Sequence, residues 1–580
     1  MVDAAQSAPR PEDVASRRWT TIDQRIVYGV LLLIAVGTVT VAPVLYVLIS
    51  SFDVANIGEA YQFGTAGWRE VFANPRTLDS IGYSFLLSAR VPIAIAIAFL
   101  IAWLLVRVEI PGRRFIEMTL WFGFFLPSVP MMMGWILLLD ANYGLLNVLA
   151  MKLPFVTHSV FSIYSIPGIM WVHLSLTTIP VMVILLTPAL RQLDAAFEEA
   201  ADMSGATTWQ TLCRVTIPLV TPAILTAFVA SLIRSLETFE VEQILGTPAK
   251  IFVYATRIYD LINWEPPLFS QAMALSAIFL AILFVLALFY QAYLKRSENR
   301  PTLLGRDVRL RDRPRTLWIY AVSGLLIAYI CVSILLPLGI LIVGSFTKLF
   351  GFFFIEDAWT TLHWREVLGD ERFARATFNS LMLGLSVGAI GTLLFALIAW
   401  CLVRGKVWGA GLIGVLVWLP WAIPGLVLGV TLLSLMLNVP IISSLYGTIV
   451  PLILALIIKE LPIGIQLLRT ALEQVSSQLE EAGSVSGAGF LTVFRRVTLP
   501  LIAPMLISVF LLVFAGTIRD ISTIVLIATP GMRTLSLLMF DFAASGRFES
   551  ATVIGILIAL LSLLMTALAF KVGSKLGVKR

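Results

Sequence analysis

The sequence predicts an all-α polytopic membrane protein, with about twelve transmembrane helices arranged as two parallel repeats of six. Three observations lead there. The 580 residues are 59% hydrophobic and only 13% charged, with a mean hydropathy of +0.93, whereas soluble domains carry roughly 25% charged residues. Apolar runs long enough to cross a bilayer recur along the whole chain. The second half also repeats the first, motif by motif.

A spanning helix needs about 20 apolar residues. Six such runs fall near 26–50, 80–106, 115–139, 162–187, 219–241 and 268–294, and six more near 318–345, 376–403, 409–437, 444–468, 501–524 and 549–571. The third and ninth are interrupted by Pro127 and Pro130, and by Pro420 and Pro424. Carbonyls freed by proline need protein or water as partners, so these two spans belong inside the bundle. The polar residues 1–25 carry no cleavable-signal pattern and read as a cytoplasmic segment before an uncleaved first helix. The organisation expected is therefore 1–25, a first repeat over 26–294, a basic linker over 295–316 and a second repeat over 317–580.

Charge sets the expected orientation. The linker holds Lys295, Arg296, Arg300, Arg306, Arg309, Arg311, Arg313 and Arg315. Arg107, Arg113 and Arg114, Arg404 and Lys406, and the tail with Lys571, Lys575, Lys579 and Arg580 are basic as well. The positive-inside rule puts all of these, and both termini, in the cytoplasm. The net charge of +6 is explained by this flanking pattern rather than by nucleic acid. Linker arginines could also meet anionic lipid headgroups.

The repeat is explicit at an offset of 282 residues: Pro180 aligns with Pro462, Glu199 with Glu481, Gly205 with Gly487, Pro218 with Pro500 and Pro222 with Pro504. Earlier positions match with small gaps, Trp68 with Trp364 and Trp103 and Arg107 with Trp400 and Arg404. Two six-span copies insert in the same direction and are related by a pseudo-two-fold axis along the membrane normal.

Each copy joins its fourth and fifth spans by a polar elbow, EEAADMSGATTWQTLCRVTIPLVTP from Glu198 and EEAGSVSGAGFLTVFRRVTLPLIAP from Glu480. Good helix formers lead to Gly205, which allows a change of direction. Threonines then cap a second short helix, expected to present Trp209 and Leu212 outward, with Phe490, Leu491 and Phe494 at the comparable surface of the second copy. A helix–Gly–helix elbow with exposed aromatics suits docking of a partner, where the bland alternative is a solvated connector.

Glu199-Ala200-Ala201 with Gly205 and a closing Ile-Pro resembles the EAA loop of ABC importer permeases, and the two copies together resemble the fused type I permeases of the ferric-iron and thiamine importer group. The second copy, Glu481-Ala482-Gly483 with Gly487, departs at its third position. The resemblance implies that Glu199, Ala200, Gly205, Trp209, Leu212, Glu481, Ala482, Gly487, Leu491 and Phe494 couple to two copies of a cytoplasmic ATPase subunit carrying ATP–Mg. It also implies a periplasmic or extracellular solute-binding protein and a bacterial inner-membrane location. No GxxxxGK motif followed by Ser or Thr occurs, so the chain is expected to be a transport subunit without its own ATPase site or cofactor. Ferric iron is the cargo the resemblance favours, with thiamine, a phosphonate or phosphorylated solute, or a polyamine as alternatives.

After the fifth span of each half come ionisable residues at membrane depth, Glu237 and Glu240 in one and Arg519 and Asp520 in the other. Such charges face protein or a water-filled path. Glu237 is expected to face Arg519 across the axis, the four lining the outer gate or solute path; a structural salt bridge is the competing reading. His158, His173 and His363, and Cys213, Cys331 and Cys401, show no metal-ligand spacing, and no catalytic constellation is apparent. A major-facilitator-type secondary transporter would also have twelve spans, but its charged Gly-Asp-Arg turn is absent from VRVEIPGRR, and it leaves the repeated elbow unexplained.

Overall fold

A computed structural model describes residues 11–55, 58–297, 317–405 and 407–575. The linker expectation at 298–316, with Lys406, Lys579 and Arg580, lies outside the described residues. Among those described, nine helices are long and apolar enough to span a bilayer, and twelve if each of three bent pairs is one span. The first span continues a helix that already begins at Pro11 (Pro11–Ser50).

The third and ninth spans are broken as their prolines require. Arg113–Phe125 meets Ser128–Leu139 at 108°, and Ala410–Ala422 meets Gly425–Asn438 at 98°. Their second segments are almost wholly buried, which satisfies the freed backbone groups inside protein rather than lipid. Four other spans absorb a proline differently. Each has one wide turn, Leu174–Thr178, Leu212–Thr216, Cys331–Leu335 and Phe494–Thr498, ending just ahead of Pro180, Pro218, Pro337 and Pro500. There the last free amide, that of Ile217 for instance, reaches back five residues to Leu212, which makes room for the proline ring.

The halves exchange their first helices. The first span packs on the broken ninth span, and the seventh (Leu317–Gly344) packs on the second segment of the third. These contacts are backbone-close: a Cβ on Gly29 would sit 2.3 Å from the Trp408 carbonyl oxygen, and one on Gly134 would sit 2.2 Å from that of Pro337. By contrast, the fifth span packs on the second, fourth and sixth of its own half, as the eleventh does on the eighth, tenth and twelfth.

Candidate functional site: two elbows and a charged cluster at the pseudo-axis

Each elbow begins with a short helix, Ala196–Met203 or Gln478–Val485. Adjacent glutamates on it point in different directions. Glu198 is buried and Glu199 exposed; Glu480 is buried and Glu481 exposed. The buried member is held from two sides. Arg107 Nε, at the end of the second span, lies 3.1 Å from Glu198 Oε2, and the Thr216 hydroxyl donates to Glu198 Oε1 at 2.7 Å. Arg107 also donates to the Leu193 carbonyl at 2.8 Å. In the second half Arg404 lies 3.3 Å from Glu480, the Thr498 hydroxyl donates to Glu480 at 2.7 Å, and Arg404 donates to the Leu472 carbonyl at 2.8 Å and to that of Val475.

Gly205 and Gly487 close the helices with φ of +80° and +83°. The Ala206 amide returns to the Ala201 carbonyl at 3.0 Å and the Gly205 amide to that of Asp202 at 2.9 Å. This is a Schellman turn, whose left-handed residue favours glycine. Ala488 returns to Gly483 in the same way at 3.1 Å. In the first half only, Thr207 and Gln210 form a reciprocal capping box that starts the next helix; Gly489 stands where Thr207 does. At the elbow tips, Met203 is 91% exposed and its repeat mate Val485 is 89% exposed.

Glu199, Ala200, Gly205, Trp209, Glu481, Ala482 and Gly487 all lie on exposed elbow surface. Leu212 and Phe494 do not. Both are buried, because the wide turn starts at each of them and carries the chain under the elbow into the fifth span. The Phe494 ring packs 5.0 Å from that of Trp400. The Phe490 and Leu491 side chains lie outside the described residues.

At the far end of the fifth spans the charges gather, though not in the expected pairs. Glu237 lies 3.4 Å from Arg234, and Arg519 donates to the Phe124 carbonyl at 3.1 Å with its guanidinium 5.9 Å from that ring. The expected Glu237–Arg519 facing is therefore corrected. The break in the third span leaves carbonyls at a helix end without intrahelical donors, and these are the nearer partners for Arg519. The halves also meet where Glu240 accepts from the Ser522 amide at 3.3 Å across 282 residues. Glu240 and Ser522 are repeat mates, so this contact lies on the pseudo-axis itself. Asp520 pairs with Lys459, accepts from the Thr523 amide at 3.0 Å and anchors Ser536 through its carbonyl at 2.8 Å. Glu460 lies within electrostatic reach of Lys459, Arg234, Asp520 and Arg519.

Sequence reasoning missed Arg234, Lys459 and Glu460 in this cluster, and Arg90, His173 and Glu242 beside it. His173 Nε2 is 2.8 Å from Glu242 Oε1, the Thr238 hydroxyl donates to the same oxygen at 2.7 Å, and Arg90 donates to the Ser235 carbonyl at 3.3 Å. Lys459-Glu460 inside an apolar run was a visible signal. The clamp was visible too, because Glu198, Thr216 and Arg107 all recur in the repeat.

Two six-span halves carrying matched elbows at one end and meeting in a polar seam toward the other have the build of a membrane transport permease. The chain belongs to the family described as "Binding-protein-dependent transport system inner membrane component", which matches residues 90–300 and 384–577, once in each half. It is 24% identical over 543 residues to the Fe(3+)-transport system permease protein FbpB 2 of Haemophilus influenzae, covering 92% of this chain and 96% of that protein. It is 27% identical over 384 residues to the ferric transport system permease protein FbpB of Actinobacillus pleuropneumoniae, covering 65% of this chain and 54% of that one; there the match spans about half of the relative's length. Among solved structures, a chain of a bacterial ABC transporter involved in the import of the acidic polysaccharide alginate aligns with 49% of this chain and 100% of its own, at 19% identity and a TM-score of 0.42. This protein is a multi-pass permease subunit of a bacterial binding-protein-dependent ABC importer of the inner membrane.

Proposed function

We propose that this permease imports ferric iron, powered by two cytoplasmic ATPase subunits that dock on the two elbows and carry the ATP–Mg. Supporting the docking is one observation above all. Met203 and Val485, both apolar and at equivalent elbow tips, are almost fully exposed where solvated connectors would be polar. Glu199 and Glu481 flank them, offering carboxylates to basic groups on the ATPase. Both termini and the linker lie on the same cytoplasmic side in this reading, following the basic flanks. A solute-binding protein delivers cargo to the opposite face, and the halves rock about the axis to alternate access.

Ferric iron as cargo is supported by the relatives named for ferric transport, one of them matched over nearly its whole length. Glu237, Glu240, Glu460 and Asp520 are carboxylates of the kind hard cations prefer, though among the described residues no three such groups are gathered closely enough to hold a metal ion. A small organic anion is favoured instead by Arg234, which is half-exposed beside the axis. The deciding experiment reconstitutes the permease with its ATPase subunits and binding protein in liposomes, identifies the ligand of the binding protein by metal analysis and mass spectrometry, and follows labelled-iron uptake. Stoichiometric iron with ATP-dependent uptake supports the proposal. An organic ligand without metal replaces the cargo and keeps the importer. ATP hydrolysis that never responds to the binding protein refutes the coupling.

A further inference from the structure

The elbow clamp repeats in both halves, but the two copies are not mechanically equal. In the first half the Arg107 and Glu198 side chains are 2% and 5% exposed; in the second, Arg404 and Glu480 are 18% and 9% exposed. From the first clamp a single helix runs on, Thr208–Leu236, about 43 Å at 1.5 Å per residue. The equivalent second helix breaks by 73° between Phe494–Leu501 and Ala503–Arg519.

Between Ile217–Pro222 and Leu499–Pro504 three positions differ, and only Thr221 against Ala503 changes a polar side chain. Both carry the same prolines, Pro218 and Pro222 against Pro500 and Pro504. The Thr221 hydroxyl donates to the Ile217 carbonyl at 2.7 Å beside the proline-bearing turn. Ala503 stands at the matching place and has no hydroxyl. The capping box is also confined to the first elbow, and the second has Gly483 in place of Ala201, a poorer helix former. The far ends are pinned in both halves, the first through Ser235 to Ser88 at 2.6 Å and Arg90 to Thr238 at 3.4 Å, the second through Arg519 to the Phe124 carbonyl at 3.1 Å, so the difference lies at the elbow end.

We propose that the Arg107–Glu198–Thr216 clamp welds the first elbow to an unbroken fifth span, making the first half the principal lever by which ATPase motion reaches the Glu240–Ser522 seam, with the second half the compliant partner. Arg107, Glu198 and Thr216 are positioning residues. They touch no cargo, and they set whether elbow displacement is delivered to the axis or lost in bending. The inference rests on the docking of ATPase subunits at the elbows.

Its test compares mirrored variants in the reconstituted complex with transport per ATP hydrolysed as the readout: Glu198→Gln and Thr216→Val against Glu480→Gln and Thr498→Val. The first pair should lower the ratio at least tenfold and the second pair less than threefold. Thr216→Ser, which keeps the hydroxyl, should restore coupling, a rescue that simple loss of packing would not show. Equal effects in the two halves, or larger ones in the second, overturn the proposal. Should Glu198→Gln fail to fold, Thr216→Val leaves the ion pair intact and carries the comparison. An independent arm uses the permease alone, with spin labels at Met203 and Ala230 and at Val485 and Leu512. A narrow distance distribution in the first half and a broad one in the second is expected; equal widths overturn the lever even where no ATPase subunit docks, an outcome that would sink only the docking reading.

Discussion

Replacing Gly205 by alanine should weaken ATPase docking by backbone strain alone. Gly205 has φ +80° and no atom of the described residues lies within 4 Å of a Cβ built there, so the substitution meets no steric obstacle among them. What remains is the left-handed conformation, which costs an L-residue roughly 1–2 kcal/mol. The free elbow relieves that strain by giving up the Schellman turn between Ala201 and Ala206. The docked elbow must restore it, so the cost appears in affinity as a loss of about 5–30-fold. Gly487 has φ +83° and equally open surroundings, so Gly487→Ala should behave alike. Asparagine tolerates this region better than alanine, and Gly205→Asn should lie between wild type and alanine. The assay is titration of purified ATPase subunit onto permease in nanodiscs. Asparagine binding worse than alanine would show that side-chain bulk at the interface governs docking, and unaltered binding by Gly205→Ala would refute the strain argument outright.

Other consequences are equally direct. Met203→Glu with Val485→Glu should abolish docking, since each buried apolar side chain of that size contributes about 1.5–3 kcal/mol; co-purification of the ATPase subunit measures it. Lys459→Met should lower thermal stability in detergent by leaving Asp520 without its cation, at a cost below the roughly 3–5 kcal/mol of a fully buried orphan charge because Lys459 is partly exposed; Lys459→Met with Asp520→Leu should recover most of it. Gly134→Ala should destabilise the junction between halves by about 1–3 kcal/mol, because the added methyl meets the Pro337 backbone, which cannot step aside; an unaltered melting temperature would contradict the close packing.

The spans and the duplication were legible in the sequence because both rest on local pattern, apolar run length and repeated spacing. The elbows were legible for the same reason: helix formers, one left-handed glycine and a proline-marked restart are short-range signals. The burial pattern within the elbow was less accessible. Glu198 and Glu199 are chemically identical neighbours, and the positions of Arg107, on a helix 91 residues earlier, and of Thr216 select which one turns inward. Leu212 and Phe494 misled because a regular helix was assumed where a wide turn begins.

By itself, then, the sequence determined a membrane-spanning chain, its two parallel halves and the elbows they carry, since lipid demands long apolar helices whatever their neighbours. The tertiary structure decided which charges meet. Ion pairing depends on distance, and helix ends such as the broken third span offer carbonyl acceptors that no linear alignment of Glu237 with Arg519 contains. It also decided the inequality of the halves. Two segments with matching prolines became one unbroken helix and one bent by 73°.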